Sequence, residues 1–539
     1  MTRFAAVVCI CVLAAAPVAS AQDSPPTAVE AAEFVAEAEA RLLELAIDAE
    51  RHAWIQATYI TYDSQLLAAQ AGERLTEAVV RYATEAARYD DVEVPADVRR
   101  KLGILKTGIT MPAPRDPEKV AELTKIASNL EAAYGTGKYC PEEGSALAAA
   151  AAGLAAEAQG AEGAGAADPC LALGELEGVI GRSEEPQALL EAWTGWRTVS
   201  PPMRDQYRRF VELMNEGARG LGYADTGALW RSGYDVPPDD FAREVDRLWG
   251  QVRPLYDALH CFVRAELSEQ YGPEVVPPQG MIPAHLVGNM WAQSWLNLVD
   301  QVAPEGAEPA FNLTAILQAE GFDARKMVET GEAFFTSLGF EPLPDTFWER
   351  SLFTKPRDRE VVCHASAWDV DNVDDLRIKM CIEVDEEDFI TVHHELGHNF
   401  YQRAYNRQPF LYRDGAHDGF HEAIGDAIAL SITPEYLQEI GLLDEVPDES
   451  ADLGLLLARA LDRVAFLPFG LLVDQWRWKV FSGEIAPDAY NKGWWDLRAK
   501  YQGVAPPVER TEEHFDPGAK FHVPGNTPYT RYFLAHILQ

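Results

Sequence analysis

The stretch FITVHHELGHNF (Phe389–Phe400), followed by GFHEAIGDAIALS (Gly419–Ser431), decides how this sequence reads. In the first segment Phe389, Val392, Leu396 and Phe400 recur at spacings of three and four, the apolar stripe of a helix with one buried face. His394 and His398 fall on the neighbouring face, one turn apart, so both imidazoles can meet a single Zn²⁺ at about 2.0–2.1 Å. Glu395 stands beside the first of them and can reach a metal-held water as general base. The turn-rich loop 415–419 leads into a second helix, antiparallel to the first, with Glu422 at its start and Asp426 one turn later. Glu422 completes a His₂Glu set with one open position, and Asp426 is placed to bond the far nitrogen of a ligand imidazole. This pattern describes a metal-dependent hydrolase.

Working outward, Glu360–Trp368 and Leu376–Val384 read as two short strands on either side of Asp369–Asp375. They form a predicted hairpin beside the ligand helix, with Cys363 and Cys381 positioned to close it. A bridge around a loop of this size is worth about 3 kcal/mol in the chain-entropy model. Elsewhere the periodicity is helical, so the fold class is mainly α. Phe34, Ala38, Leu42, Leu45 and Ala49 mark one stripe of a long helix, and residues 27–98 read as a helical layer or lid. Residues Glu118–Tyr134 form a further helix. The Ala- and Gly-rich segment 144–168, between Cys140 and Cys170, reads as a surface insertion whose ends are stapled together.

The 539 residues carry 85 acidic against 46 basic side chains, a formal charge of −39, which excludes a nucleic-acid partner. A hydrophobic fraction of 47% with 24% charged residues is ordinary for a globular protein and excludes disorder. Residues 1–21 combine Arg3, an apolar run and Ala19-Ser20-Ala21, the order of a cleaved secretory signal. The mature catalytic domain is then 22–539, secreted or periplasmic, with no membrane anchor, since no later run is long and apolar enough to span a bilayer. Five cysteines remain after cleavage, which is two bridges and one leftover thiol.

Several further stretches, VCHASAW (362–368), PAHL (283–286), NMWAQ (289–293) and FDPGAKFH (515–522) running into PYTRY (528–532), resemble the angiotensin-converting enzyme family of zinc peptidyl-dipeptidases. They are spread over much of the mature chain. The resemblance implies a large helical ellipsoid of two sub-domains around a deep central channel, with the short hairpin beside the zinc. It implies that Lys520, Tyr529 and Gln293 grip the C-terminal carboxylate of a peptide. A carboxylate calls for a cation and neutral donors at the blind end of a cleft. It further implies that His522 and Tyr532 donate to the oxyanion, and that His364 and Ala365 lie along the substrate as an edge strand. Chloride sites follow from the same resemblance: Arg197, Trp494 and Arg498 at one, Tyr234 and Arg531 at the other. Buried arginines with no carboxylate nearby need an anion. A mono-carboxypeptidase relative carries arginine where this chain has Gln293, so the glutamine points to dipeptide release. Cys261 has no evident partner. The sequence ends seven residues after Tyr532, where family members continue with further helices, a C-terminal truncation by that comparison.

The expected function is zinc-dependent release of dipeptides from the C-termini of oligopeptides. Two rivals stand beside it. A mono-carboxypeptidase or an oligoendopeptidase of another H-E-x-x-H family would share the metal, and a silent peptide-binding ectodomain would share the fold. The intact Glu395 argues against silence.

Overall fold

The computed structural model describes residues 25–159, 170–304, 311–447 and 452–539, and it is predominantly helical. The expected signal segment, 1–21, lies outside these residues. None of the described helices is long and apolar enough to cross a membrane.

Three apolar clusters hold the chain together. The largest joins residues of 123–302 to residues of 461–534, so the chain leaves this core after Val302 and returns to it at Leu461. The intervening segment builds its own core between Leu313 and Leu442, which includes Phe389, Val392, Leu396 and Phe400 of the helix Glu386–Tyr405. A third cluster unites the helices Ala28–Thr58, Tyr62–Ala86 and Ala96–Thr107. Phe34, Ala38, Leu42 and Leu45 are buried in it, while Ala49 is only half-buried. The layer extends past residue 98, because Leu102 and Leu105 close the same cluster. Its first helix starts at a reciprocal cap in which Thr27 N–H donates to Glu30 Oε2 at 2.7 Å and Glu30 N–H to Thr27 Oγ1 at 3.3 Å.

The hairpin forms as Ser366–Asp369 antiparallel to Leu376–Lys379, with Ser366 opposite Lys379 and Asp369 opposite Leu376. Trp54 of the first helix meets Trp368 edge-on, ring centroids 5.5 Å apart, so the helical layer rests on the hairpin. Both strands are shorter than the sequence suggests, for a reason visible in their backbone partners. Glu360 O accepts from Ile60 N–H at 3.1 Å and Val362 N–H donates to Ala57 O at 2.8 Å, so this end belongs to the layer above. The Lys379 ammonium donates to Val362 O at 2.8 Å and His364 O at 2.5 Å. On the other strand Met380 and Ile382 donate to Leu352 O and Phe353 O, both at 2.9 Å. His364 and Ala365 therefore lie just before the ladder, and not on an edge strand of it.

Cys363–Cys381 and Cys140–Cys170 are both bridged, and Cys261 is an exposed free thiol. The expectation of a surface insertion across 144–168 needs correction at its start. Ala146–Gln159 is a helix, Leu147 is fully buried, and its N–H donates to Glu191 Oε2 at 3.0 Å. Alanine is the strongest helix former, and one leucine in the first turn docks the run onto the helix Pro186–Trp196. Residues 160–169 lie outside the described part.

Candidate active site and metal centre

The ligand helix runs Glu386–Tyr405 and is capped by Asp385, whose side chain accepts from Asp388 N–H. Three acidic residues in its first turn suit the positive end of the helix dipole. Phe389, Val392, Leu396 and Phe400 are all buried, each worth about 1.5–3 kcal/mol over exposure. Phe400 stacks on Phe335 at 4.1 Å between centroids. That anchoring fixes the rotation of the helix, and so fixes where the histidines point.

His394 Nε2 and His398 Nε2 face each other at 3.0 Å. The second ligand helix, Phe420–Leu430, brings Glu422 Oε2 to 3.7 Å from His394 Nε2 and Asp426 Oδ1 to 3.5 Å from His394 Nδ1. It can come this close because two glycines meet between the helices: a Cβ on Gly397 would lie 3.1 Å from Gly425 Cα. Asp426 is in turn held by Arg463 at 3.2 Å. Burial works against a charge on His394, yet the Asp426 contact and the carboxylates of Glu395 and Glu422 hold its pKa above the ordinary range. Burial, with His394 and His421 beside it, pushes His398 down to about 3. Glu395 is raised by burial, and its Oε2 is buried with no hydrogen-bond partner among the described residues. His394, Glu395 and His398 offer ligand atoms that all lie within 4.8 Å of one another. The donor set suits a divalent cation: two imidazole Nε2 atoms converge on one point, and three carboxylates crowd His394.

The sequence reading missed His421. Its Nδ1 lies 3.4 Å from His398 Nδ1, and its Nε2 lies 3.0 Å from Tyr405 Oη. It thus orients the His398 imidazole as Asp426 orients that of His394. Its place immediately before Glu422 was the only available signal.

In the largest core, Lys520 Nζ and Tyr529 Oη both donate to Gln293 Oε1, at 2.9 and 3.1 Å. Lys520 is buried, lies 4.0 Å from the Trp291 ring centroid, and forms no ion pair among the described residues. Burial pulls its pKa down to about 7, with Glu177 opposing. Next to it His522 makes ring contacts with Tyr529 at 4.5 Å and Tyr532 at 5.7 Å, and its buried Nδ1 has no hydrogen-bond partner among the described residues. Burial first, then Lys520, Arg477 and Arg531, push this imidazole down to about 3, so it is neutral. The Tyr532 phenol is pushed up by burial and by Glu422, and so keeps its proton. The exposed His364 turns its Nδ1 to Ala365 O at 2.8 Å, and it also acts electrostatically on Glu395.

The two expected chloride positions part company. Arg197 and Arg498 are buried and bond only to neutral groups: Arg197 to Trp193 O (3.0 Å), to Met290 Sδ (3.3 Å) and to Met290 O (2.9 Å), Arg498 to Trp291 O (2.9 Å). Arg197 Nε and Arg498 Nε and Nη1 have no hydrogen-bond partner among the described residues, and Trp494 is buried in the same core. The nearby Asp516 carboxylate is engaged by Arg510 Nε (2.9 Å) and Trp495 Nε1 (2.6 Å). At the second position Asp418 Oδ2 lies 3.0 Å from Arg531 Nε and accepts from Tyr234 Oη at 3.3 Å. Arg531 thus has a carboxylate beside it, although its Nε, like those of Arg197 and Arg498, makes no hydrogen bond among the described residues.

An H-E-x-x-H helix packed against a glutamate-bearing helix, set in a mainly helical body, defines a metal-dependent peptidase. The sequence model of the peptidase M2 family, described as angiotensin-converting enzyme, matches residues 25–539, and the chain belongs to that family. It is similar to angiotensin-converting enzyme of Bos taurus, 46% identical over 445 residues that cover 82% of this chain and 32% of that protein. With angiotensin-converting enzyme of Theromyzon tessulatum it shares 48% over 368 residues, 68% of this chain and 59% of that one. The angiotensin-converting enzyme-like protein Ace3 of Mus musculus is 39% identical over 492 residues, 90% of this chain and 63% of its own. The chain spans less than two thirds of the length of each.

Proposed function

We propose that this protein is a zinc peptidyl-dipeptidase that removes dipeptides from the C-termini of oligopeptides outside the cytoplasm. His394, His398 and Glu422 would hold the ion. Glu422 is preferred as third ligand to Glu395, which clusters with the two imidazoles within 4.8 Å, because it comes from a separate helix and leaves Glu395 free as base. Zinc supplies a Lewis acid that polarises the scissile carbonyl and acidifies water.

The other steps belong to the chain. Glu395 takes a proton from the attacking water at its free Oε2 and passes it to the leaving amine nitrogen. Neutral His522 and protonated Tyr532 donate hydrogen bonds to the carbonyl oxygen as negative charge grows on it. His364 and Ala365 line the approach. Lys520 and Tyr529 turn from Gln293 Oε1 to the terminal carboxylate, and the Gln293 amide N–H groups supply further donors beside them.

The observation that carries the reading is Lys520, a buried cation with no carboxylate partner among the described residues, converging with Tyr529 on Gln293. Such a site is incomplete until an anion enters it. The test is a blocked tripeptide against its C-terminal amide, with products identified by mass. Release of the intact C-terminal dipeptide from the acid alone supports the reading, and equal cleavage of the amide refutes it. The unpaired guanidinium groups of Arg197 and Arg498 support a chloride ion between them. The two disulfides and the residues 1–21 support export.

A further inference from the structure

Asp474 and Arg477 sit one turn apart on the helix Ala465–Ser482, with side chains 2% and 0% exposed. Arg477 Nε donates to Asp474 Oδ1 at 2.8 Å. A fully buried ion pair is weak support for stability by itself, because apolar residues of the same volume usually serve as well. The remaining bonds of this pair say what it is for. Arg477 Nη1 donates to His522 O at 2.7 Å and Nη2 to Thr527 O at 2.6 Å. Asp474 Oδ2 accepts from Tyr529 N–H at 2.7 Å, Thr530 N–H at 2.7 Å and Thr530 Oγ1 at 2.9 Å.

All of these partners lie between His522 and Thr530. Two of them are the backbone of His522 and Tyr529 themselves, and Lys520 and Tyr532 are two residues outside either end. The segment has no strand ladder to hold it. The helix Thr530–Leu538 that follows has no cap from its own N-cap residue, Tyr529. Asp474, from a different helix, supplies that cap and places negative charge at the positive end of the dipole. Arg477 is itself fixed over the Trp230 ring, 4.8 Å from its centroid.

We infer that Asp474 and Arg477 are positioning residues. They fix the carboxylate anchors Lys520 and Tyr529 and the donors His522 and Tyr532 as one rigid unit, and thereby set the preference for a free C-terminus. The inference rests on the proposed peptidyl-dipeptidase reading. Neither side chain touches substrate in it; each acts through the backbone of the residues that do.

The experiment compares kcat/KM for a blocked tripeptide acid and its amide in the wild-type enzyme, Asp474→Asn, Arg477→Lys and Lys520→Met. The acid-to-amide ratio is independent of how much enzyme is folded, so a merely structural role cannot move it. In Asp474→Asn and Arg477→Lys the ratio should fall at least tenfold toward that of Lys520→Met, with KM for the acid raised and zinc content kept. If both keep the wild-type ratio while total activity drops, the inference is overturned. Should the Asp474 and Arg477 variants fail to accumulate, Thr530→Val deletes only the Oγ1 bond; a smaller fall in the same ratio supports the inference, and an unchanged ratio overturns it. A wild-type enzyme that does not distinguish acid from amide overturns the functional reading and this inference together.

Discussion

Gly425 faces the His394 ring so closely that a Cβ there would stand 2.7 Å from Cε1 and 2.8 Å from Nδ1. The contact lets the second ligand helix seat Asp426 and Glu422 on either side of one imidazole. Gly425→Ala must therefore push the ring or the helix away. Zinc affinity, measured by chelator competition, should fall about 10–100-fold, as for other disturbances of a ligand's orientation. Unchanged affinity would show that the helices yield without cost to the site.

Glu395→Gln keeps the volume of the side chain and removes the proton acceptor. Turnover should drop by about 10²–10⁴-fold with zinc content unchanged. A zinc-loaded wild-type protein that binds peptides but forms no more product than the variant would point to the binding-ectodomain alternative.

Lys520 sets a pH dependence. Burial lowers its pKa to about 7 in the folded protein, and only the ammonium form grips a carboxylate. KM for an acid substrate should thus rise as pH climbs above about 7, while KM for the amide stays flat. The stability sign is the opposite one. Between about 7 and the ordinary value of 10.5 the unfolded chain binds the extra proton, so this residue's destabilising effect is largest at low pH and fades as pH rises through that window. Lys520→Met should abolish both effects, and parallel KM profiles for acid and amide would refute the assignment.

Chloride should act at Arg197 and Arg498 and not at Arg531. The thermal midpoint should rise with chloride relative to gluconate at equal ionic strength, and Arg498→Met should remove that difference. Asp418→Asn leaves Arg531 without its carboxylate and should create a second chloride response. A wild-type protein indifferent to chloride would argue against the first site.

How much of this was legible beforehand follows the range of the interactions. The ligand pair His394 and His398 and the stripe through Phe389 and Phe400 depend on helical periodicity, a property of neighbours in sequence. The Cys363–Cys381 hairpin was likewise visible from local pattern, although its strand ends were not, because Ala57, Ile60, Leu352 and Phe353 compete for their backbone groups. The Ala-rich helix at 146–159 was underrated because composition there says nothing about the docking of Leu147.

What the sequence determined alone is the chemistry on offer: two imidazoles and a carboxylate at helical spacing, with a base beside them. Only the tertiary structure decided the partners. It joins Lys520 to Gln293 across 227 positions, gives Arg531 to Asp418 while leaving Arg498 unpaired, and lends Asp474 to cap a helix 56 residues away. Charges and orphan donors are satisfied by whatever group lies within about 3 Å, and that proximity is a property of packing rather than of sequence spacing.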